Sequence, residues 1–434
     1  MKVLLLKPCW PYPVGDDFIY NRIWPPLCLA NCAALLLREG HTVRIFDAHA
    51  ERTPADKIKE HVYGFDKIFI TSSALDRWQC PNLNIEPFLR AARLIRKEND
   101  ELYVMGYHGT VNPDEILSLT GAKAIIRGQP EIGVLEICQN QSLSRIKGIS
   151  YRSSGKIIST AERAVIDLDT LPVPAFHLVN FKYYFYEILG SNFALFEGSR
   201  GCTHGCTFCS KVMFGVTFRQ KSPMRLMEEI DRAVRECKIK TGYFIDLDFT
   251  LNKKWVEEVC SLLIERNYDF EWCCQARLDE VDAPLLKKMK QAKCRLIHYG
   301  VETASDKMLR LAHKGLTTER ITEGIRLTQE AGIKTLCFFM IGLSSDSREE
   351  MRQNMAFAHR LNPTYLHYHL AVSYGASCIQ ENSLNLPCDV SRRMIKHAIM
   401  KFYLRPRYII QRLKQKEDRK AMLRQLKLLY AYIR

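Results

Sequence analysis

The stretch that decides how this 434-residue chain folds and works is Arg200-Gly201-Cys202-Thr203-His204-Gly205-Cys206-Thr207-Phe208-Cys209. Its three cysteines are spaced C-x3-C-x2-C in a short loop that contains two glycines. Three thiolates this close together can each hold one iron of a [4Fe–4S] cluster, whereas clusters that only transfer electrons usually take four cysteines. The spacing therefore predicts a cluster with one iron left open for another ligand.

A zinc site is the main alternative interpretation of these cysteines. Structural zinc sites usually combine two C-x2–4-C half-sites, and they need a fourth ligand. His204 lies inside the loop itself and is poorly placed for that role. An iron–sulfur cluster is therefore the favoured interpretation.

The motif and its flanks, Ser199-Arg200-Gly201 before the first cysteine and Phe208 before the last, resemble the radical S-adenosylmethionine (SAM) superfamily. The resemblance implies that Cys202, Cys206 and Cys209 ligate a [4Fe–4S] cluster whose open iron chelates SAM. Such a cluster cleaves SAM reductively to a 5′-deoxyadenosyl radical. The resemblance also implies that Phe208 packs beside the cluster and the adenine, a position that an ordinary core aromatic would suit as well.

Composition restricts the class of protein. The net charge of +15 is uneven: residues 391–434 contain fourteen Lys or Arg and two acids, or +12, which leaves about +3 for the remaining residues. No apolar run reaches 18 residues, so no transmembrane helix is expected. Met1–Leu6 is too short for a secretory segment, and sixteen cysteines without one favour a reducing cytoplasm.

The fold class predicted for residues 1–140 is α/β, with a doubly wound, Rossmann-like parallel sheet, because apolar strand-like runs alternate with helical stretches. The predicted strands are Val3–Leu6, Val43–Phe46, Ile68–Thr71, Leu102–Met105 and Ala124–Ile126, and the predicted helices are Leu27–Arg38, Ala55–Val62, Glu86–Lys97 and Asp114–Leu119. No G-x-G-x-x-G follows the first strand, which argues against a dinucleotide-binding domain.

Several phrases in residues 1–140 resemble the cobalamin-binding-type domain that precedes many radical SAM cores. They are Pro25-Pro26-Leu27, Gly40-His41-Thr42-Val43 with Asp47-Ala48, Gly106-Tyr107-His108-Gly109-Thr110 and Arg127-Gly128-Gln129-Pro130-Glu131. The histidine-ligating signature D-x-H-x-x-G is incomplete at Asp47–Arg52, so His49 is expected to be a surface loop residue rather than a cobalt ligand. The resemblance implies the domain and leaves open whether cobalamin is bound.

Residues 141–185 are predicted to be a connector, with a hairpin turn at Ser153–Lys156. From residue 186 to 385 six strand–helix repeats predict a (β/α)6 partial TIM barrel, with its chemistry at the carboxyl ends of the strands. The predicted strands are Phe193–Gly198, Tyr243–Leu247, Phe270–Gln275, Leu296–Val301, Thr335–Ile341 and Tyr365–Leu370. The predicted helices are Ser222–Cys237, Lys254–Arg266, Ala283–Gln291, Thr318–Ala331 and Ser347–Leu361.

Cofactor-binding candidates stand at these predicted strand ends. By resemblance, Asp246 is the first candidate for the SAM amino group and Asp248 the second, while an ordinary strand-end acid remains the alternative for both. A guanidinium matches a carboxylate with two hydrogen bonds, so Arg277 is a candidate for the SAM carboxylate.

Two further strand ends carry the remaining candidates. By resemblance, Glu302, followed by Thr303, hydrogen-bonds SAM, and Gly342 allows the adenine to approach closely. The strand histidines His298, His367 and His369 and the later Tyr374 are candidates to line the substrate pocket. No residue is predicted to act as a catalytic acid or base.

Residues 386–434 form the predicted helical basic tail. Its apolar residues recur at helical spacing, at Leu413, Met422, Leu426, Leu429 and Ile433. Such a helix can lie on an anionic membrane or dock on the core with its charges in solvent. Nucleic-acid binding is not expected, since no recognised module accompanies the tail.

The resemblance implies a cobalamin-dependent C-methyltransferase that acts on an unactivated carbon of a small molecule or lipid. The alternative is a cobalamin-independent radical SAM dehydratase, cyclase or C–C bond-forming enzyme that uses its N-terminal domain structurally. A non-enzymatic metal-binding protein or a methylthio-type RNA modifier is less favoured, because no additional cysteine cluster or RNA-binding module is visible. An electron donor such as flavodoxin or ferredoxin is the expected partner.

Overall fold

The computed structural model describes residues 1–10, 23–73, 84–343, 347–371 and 388–414. The chain divides into two compact units. The first consists of Met1–Phe185, Ser191–Cys202 and Lys211–Ile239, and the second of Tyr186–Gly190, Thr203–Ser210 and Lys240–Arg434. The domain boundaries expected at residues 140, 185 and 385 remain predictions.

The first unit opens with alternating strands and helices, as its sequence predicts. These elements are β1 (Lys2–Lys7), α1 (Leu27–Arg38), β2 (Thr42–Asp47), α2 (Lys59–Val62), β3 (Lys67–Thr71), α3 (Glu86–Glu98), β4 (Leu102–Met105), α4 (Tyr107–Val111), α5 (Pro113–Thr120), β5 (Ala124–Ile126), α6 (Glu131–Cys138), β6 (Ile149–Ser153) and β7 (Lys156–Ser159).

One sheet with the strand order β2-β1-β3-β4-β5-β6-β7 joins these strands. The first five are parallel, while β6 and β7 form an antiparallel hairpin at the edge, as the turn at Ser153–Lys156 predicts. One apolar core contains Leu29 and Val134 from α1 and α6, and a second contains Phe88 and Ile95 from α3. The strand order reverses between β1 and β3, where sheets of this type bind ligands beyond the strand ends.

Five short strands follow the hairpin: β8 (Phe185–Tyr186), β9 (Gly190–Ser191), β10 (Phe193–Phe196), β11 (Ser199–Arg200) and β12 (Arg219–Gln220). The long helix α7 (Pro223–Cys237) comes next. Helix α7 begins after Ser222, whose hydroxyl accepts a hydrogen bond from the Arg225 amide, and it has proline at its first position. Both features are typical helix starts.

The second unit repeats the strand–helix alternation. Its elements are β13 (Thr241–Phe244), α8 (Lys253–Arg266), β14 (Glu271–Ala276), α9 (Ala283–Gln291), β15 (Cys294–Glu302), α10 (Asp306–Leu311), α11 (Thr318–Glu330), β16 (Lys334–Ile341), α12 (Ser347–Leu361), β17 (Tyr365–Leu370), α13 (Cys388–Tyr403) and α14 (Pro406–Lys414).

Strands β13 to β17 are hydrogen-bonded in sequence order, and every pair is parallel. Their carboxyl ends therefore share one edge of the sheet, which brings the predicted strand-end residues of this unit to a common side. The α/β class with parallel sheets is thereby confirmed, while the six-unit partial barrel remains a prediction.

The start of the basic tail docks on the second unit. Arg412 in α14 is buried, and its Nη2 donates to the Tyr365 hydroxyl at 2.9 Å, while the Tyr408 hydroxyl donates to the Thr364 carbonyl at 2.8 Å. These contacts agree, as far as residue 414, with the interpretation that the tail packs on the protein core. The predicted helical positions Met422, Leu426, Leu429 and Ile433 lie outside the described residues. No helix in the described parts of the chain has both the length and the apolar character needed to span a bilayer.

Candidate functional site

The cysteine loop is fixed by backbone hydrogen bonds within the second unit. The Thr207 amide donates to the Ala312 carbonyl at 3.1 Å, and the Cys209 amide donates to the Cys206 carbonyl at 3.3 Å. Cys206 and Cys209 are half-buried, so their thiols can be reached by a cofactor. Cys202, which closes the segment Ser191–Cys202 of the first unit, is buried.

Gly201 makes the turn into the first cysteine possible. Its φ of +82° lies in the left-handed region that glycine adopts without strain. A Cβ at this position would also collide with the backbone carbonyl of Thr217. The collision occurs because β11 pairs with β12, which brings the two chain segments together in the first unit.

Arg200 anchors the residues before the cysteines within the first unit. Its fully buried guanidinium donates to Glu197 at 2.9 Å, to Glu131 at 2.6 Å and to Gln129 at 2.7 Å. A buried charge is tolerated when it is paired in this way. The phrase Gln129-Pro130-Glu131 therefore has a structural role that sequence reasoning missed, because its partner lies about seventy positions away.

Arg277 brings a cation beside the cysteine loop of the second unit. Its Nη1 lies 3.9 Å from Cys206 Sγ, its Nη2 donates to the Lys314 carbonyl at 2.7 Å, and Asp279 accepts two hydrogen bonds from the guanidinium. Burial opposes the charge on Arg277, but Asp279 and Cys206 outweigh that effect and raise the pKa of the guanidinium. The side chain is therefore positioned beside the cysteines and held cationic.

Lys314 is a second buried cation near Cys206, and the sequence analysis missed it. Its Nζ donates to Glu302 Oε1 at 2.9 Å and lies 5.7 Å from the centre of the Phe208 ring. Burial opposes the charge on Lys314, whereas Glu302 and then Cys206 raise its pKa. No sequence signal marked this lysine, because it lies between α10 and α11 rather than at a strand end.

Glu302 stands at an irregular end of β15. Its φ is +65°, and the pairing of β15 with β16 shifts register between Gly300 and Glu302. A Cβ on Gly300 would collide with the Glu302 carboxylate and approach Lys314 Nζ. Gly300 therefore leaves the room in which the ion pair forms.

The predicted SAM-amino candidates lie beyond β13, which ends at Phe244 rather than at Leu247. Both Asp246 and Asp248 are buried. Asp248 Oδ1 accepts hydrogen bonds from the Thr250 amide and hydroxyl, and Asp248 Oδ2 lies 3.3 Å from His204 Nε2.

Glu280, after β14, joins the same group. A hydrogen bond of 2.9 Å links its Oε1 to His204 Nε2. Burial and the nearby Asp248 raise the pKa of Glu280 to about 7, although His204 acts in the opposite direction. Sequence reasoning missed Glu280 because its partners lie 76 and 32 positions earlier in the chain.

Thr303 and Gly342 lie at two further strand ends. Thr303 is buried, and its hydroxyl accepts a hydrogen bond from the Ser305 amide. Gly342 has a φ of +97°, and its amide donates to Glu350 Oε2 at 2.8 Å.

The strand histidines form an aromatic ladder in the second unit. His298 is buried, with its two ring nitrogens 3.1 and 3.0 Å from the hydroxyls of Tyr186 and Tyr243. Phe338 packs between the His298 ring and the rings of His367 and His369. Burial lowers the pKa of His369 to about 4. Tyr374, the fourth pocket candidate, lies outside the described residues.

His49 in the first unit is not a surface loop residue, so that expectation was wrong. It is 3% exposed, and its Nδ1 accepts a hydrogen bond from the Trp10 amide at 2.9 Å. The neighbouring Asp47 is structural as well, because it accepts hydrogen bonds from Lys7 and the Tyr184 hydroxyl. The loop turns inward because these buried partners hold it.

Polar loop residues meet at the carboxyl edge of the first sheet. The His108 amide donates to Ser72 Oγ at 3.2 Å, and His108 Nδ1 lies 3.4 Å from Ser73 Oγ. The Gly128 amide donates to the Thr110 hydroxyl at 3.0 Å. This edge is where doubly wound sheets bind ligands.

A comparison with protein families matches residues 196–358 to the radical SAM superfamily. This chain therefore carries a radical SAM domain. It is therefore an enzyme whose cofactors are a [4Fe–4S] cluster and SAM. The radical SAM chain is also 27% identical, over 94% of its own length and 94% of the relative's, to an uncharacterized methyltransferase of Pyrococcus horikoshii.

Two solved structures share the fold of this radical SAM chain. The radical SAM methyltransferase TsrM from Kitasatospora setae, with tryptophan and a SAM analogue bound, aligns with a TM-score of 0.69 at 16% identity, over 85% of this chain and 73% of TsrM. The cobalamin-dependent SAM radical enzyme OxsB aligns with a TM-score of 0.68 at 19% identity, over 92% of this chain and 56% of OxsB. The radical SAM chain thus spans little more than half the length of OxsB.

Proposed function

We propose that this radical SAM enzyme is a cobalamin-dependent C-methyltransferase that acts on an unactivated carbon of a small molecule or lipid. The observation that carries the radical step is the group of Cys206, Arg277, Lys314 and Glu302 at one edge of the second unit. The methyl transfer is supported by the relative from Pyrococcus horikoshii, which aligns with nearly the whole chain.

The side chains around the cysteine loop suit a [4Fe–4S] cluster, and we assign Cys202, Cys206 and Cys209 as its ligands. A cluster held by thiolates adds negative charge, and the buried guanidinium of Arg277 lies 3.9 Å from Cys206 Sγ, with the buried Lys314 next to it. Charge and hydrogen bonds near the sulfurs set the reduction potential of such clusters. The two cations therefore favour the reduced cluster that SAM cleavage requires.

The strand-end residues are proposed to hold SAM. The carboxylate of Asp246 or Asp248 would accept from the amino group. Because Asp279 already engages two donors of Arg277, Lys314 is a second candidate for the SAM carboxylate. Glu302 and Thr303 would hydrogen-bond the ribose or the amino group, and Phe208 and Gly342 would contact the adenine.

The first unit is proposed to hold cobalamin at the carboxyl edge of its sheet. Ser72, Ser73, His108 and the Gly128 loop present polar groups at this edge, and OxsB, which shares the fold, is cobalamin-dependent. When bound there, the cofactor supplies a transferable methyl group. His49 is not proposed as a cobalt ligand, since its Nδ1 accepts from Trp10 and its ring is buried.

Cobalamin retention tests this proposal directly. The protein is purified without oxygen, reconstituted with iron, sulfide and hydroxocobalamin, and desalted before cobalamin and iron are counted. We expect close to one cobalamin and one cluster per chain. An intact cluster without retained cobalamin would instead support the dehydratase, cyclase or C–C bond-forming alternative. A low-potential donor such as flavodoxin or ferredoxin is proposed as the physiological reductant. Dithionite can replace it in assays of SAM turnover.

A further inference from the structure

Three potential metal ligands converge in the second unit from three separate segments. His204 comes from the cysteine loop, Asp248 from the segment after β13, and Glu280 from the segment after β14. One ligand atom of each lies within 4.8 Å of those of the other two. Asp248 is 2% exposed, and the other two side chains are mostly buried. None of the three is a proposed ligand of the cluster.

Two carboxylate oxygens in this group lack a donor. Asp248 Oδ2 and Glu280 Oε2 are buried and receive no hydrogen bond from any described residue. His204 Nε2 can carry only one proton, and it lies nearer to Glu280 Oε1, at 2.9 Å, than to Asp248 Oδ2, at 3.3 Å. Burying carboxylate oxygens without donors or a cation is costly. The arrangement therefore calls for a positive charge among the three side chains.

We propose that His204, Asp248 and Glu280 bind one divalent transition-metal cation, at a site separate from the iron–sulfur cluster. One imidazole nitrogen and two carboxylate oxygens suit Mn²⁺, Fe²⁺ or Zn²⁺, whereas Mg²⁺ and Ca²⁺ prefer all-oxygen sites. The cation would take the place of the proton on His204 Nε2 and satisfy both open oxygens. Three protein ligands leave coordination positions for water or another ligand.

Metal binding here would tie the cysteine loop to the strand ends of the second unit. His204 lies between Cys202 and Cys206 in the sequence, so a metal bound through its ring would restrain both neighbours. Occupation would also engage Asp248, which leaves Asp246 as the acid available for the SAM amino group. The inference goes beyond the proposed methyl transfer and does not depend on cobalamin.

Manganese binding provides the test. Reconstituted protein is treated with a chelator, desalted and titrated with Mn²⁺ without oxygen, while the free ion is followed by its six-line electron paramagnetic resonance signal. We expect one tight Mn²⁺ per chain, with ¹⁴N modulation from the His204 ring in pulsed spectra. The affinity should fall at least tenfold in Glu280→Gln, and the ¹⁴N modulation should be lost in His204→Asn.

Two controls keep this outcome separate from that of the proposed function. Glu323→Gln removes an exposed carboxylate paired with Arg326 and should bind Mn²⁺ as the parent does. The triple variant Cys202→Ala, Cys206→Ala, Cys209→Ala should still bind Mn²⁺ although it holds no cluster. Absence of tight Mn²⁺ from the parent protein would overturn the inference, and the three side chains would then share a proton. Binding that lacks ¹⁴N modulation in the parent, or that survives in His204→Asn/Glu280→Gln, would overturn it as well.

Discussion

Replacing Lys314 tests the electrostatic arrangement around the cysteine loop most sharply. Lys314→Met keeps the length of the side chain but leaves the Glu302 carboxylate buried without its cation. Lys314 and Glu302 are only 8% and 9% exposed, and their charged atoms lie 2.9 Å apart. Removing one partner of a buried pair costs about 3–5 kcal/mol.

The loss of stability should be local to the strands around Glu302. The assay is therefore hydrogen-exchange mass spectrometry in increasing urea, which gives the free energy of opening for peptides from β15 and β16. Glu302→Gln and the double variant Lys314→Met/Glu302→Gln complete a double-mutant cycle. We expect the double variant to cost about 1–3 kcal/mol less than the two single changes added together, because it leaves no unpaired buried charge.

Gly300→Ala is the matched steric variant. It changes no charge, but its methyl group would displace the Glu302 carboxylate from Lys314. It should therefore lower the same exchange free energies. A loss below about 1 kcal/mol in Lys314→Met, together with additive effects in the cycle, would refute the ion pair as a stabilising element.

Three further predictions concern separate regions. Burial acts against ionisation of Glu101, but hydrogen bonds from Lys123, Tyr103 and Lys67 prevail and lower its pKa to about 2. The contribution of Glu101 to the free energy of unfolding is therefore complete above the unfolded pKa near 4.5, and it is lost as the pH falls toward 2. Glu101→Gln should thus cost about 1–2 kcal/mol at pH 7, discounted for its partial exposure, and almost nothing at pH 2 in urea unfolding; an equal cost at both pH values would contradict this. Gly201→Ala should lower the iron retained after reconstitution, because its Cβ collides with the backbone; parental iron content would argue against the strained turn. Arg412→Met should speed trypsin cleavage within residues 388–414, because it removes the hydrogen bond that fixes α14; unchanged digestion would count against docking.

Helices and strands whose ends or apolar runs are marked in the local sequence were predicted with bounds close to those of the structure. The bounds predicted for α1, α9 and β17 are those of the structure. Proline precedes α1, and a capping Asp282 with proline begins α9, so both helix starts were marked in the sequence. The parallel arrangement followed from strand–helix alternation. Cys206, Arg277 and Glu302 were candidates because a motif or a strand end marked them, and the structure places them around Lys314.

Residues whose role depends on distant partners could not be predicted. Lys314 lies in a connection between helices, and only the folded chain brings it to Glu302 and Phe208. Glu280 faces His204 across 76 positions of sequence. His49 was assigned to the surface because its loop is polar, yet the amide of Trp10 and the neighbouring buried side chains draw it inward.

The products of SAM turnover test the central claim most directly. The enzyme is reconstituted with its cluster and hydroxocobalamin, reduced with dithionite and incubated with SAM, and S-adenosylhomocysteine and 5′-deoxyadenosine are counted together. We expect both products, with S-adenosylhomocysteine formed only when cobalamin is present. We expect neither product from the triple cysteine variant, because its missing cluster also removes the electron path to cobalamin. Formation of 5′-deoxyadenosine alone from the cobalamin-treated enzyme would contradict methyl transfer, and absence of 5′-deoxyadenosine would contradict the radical step.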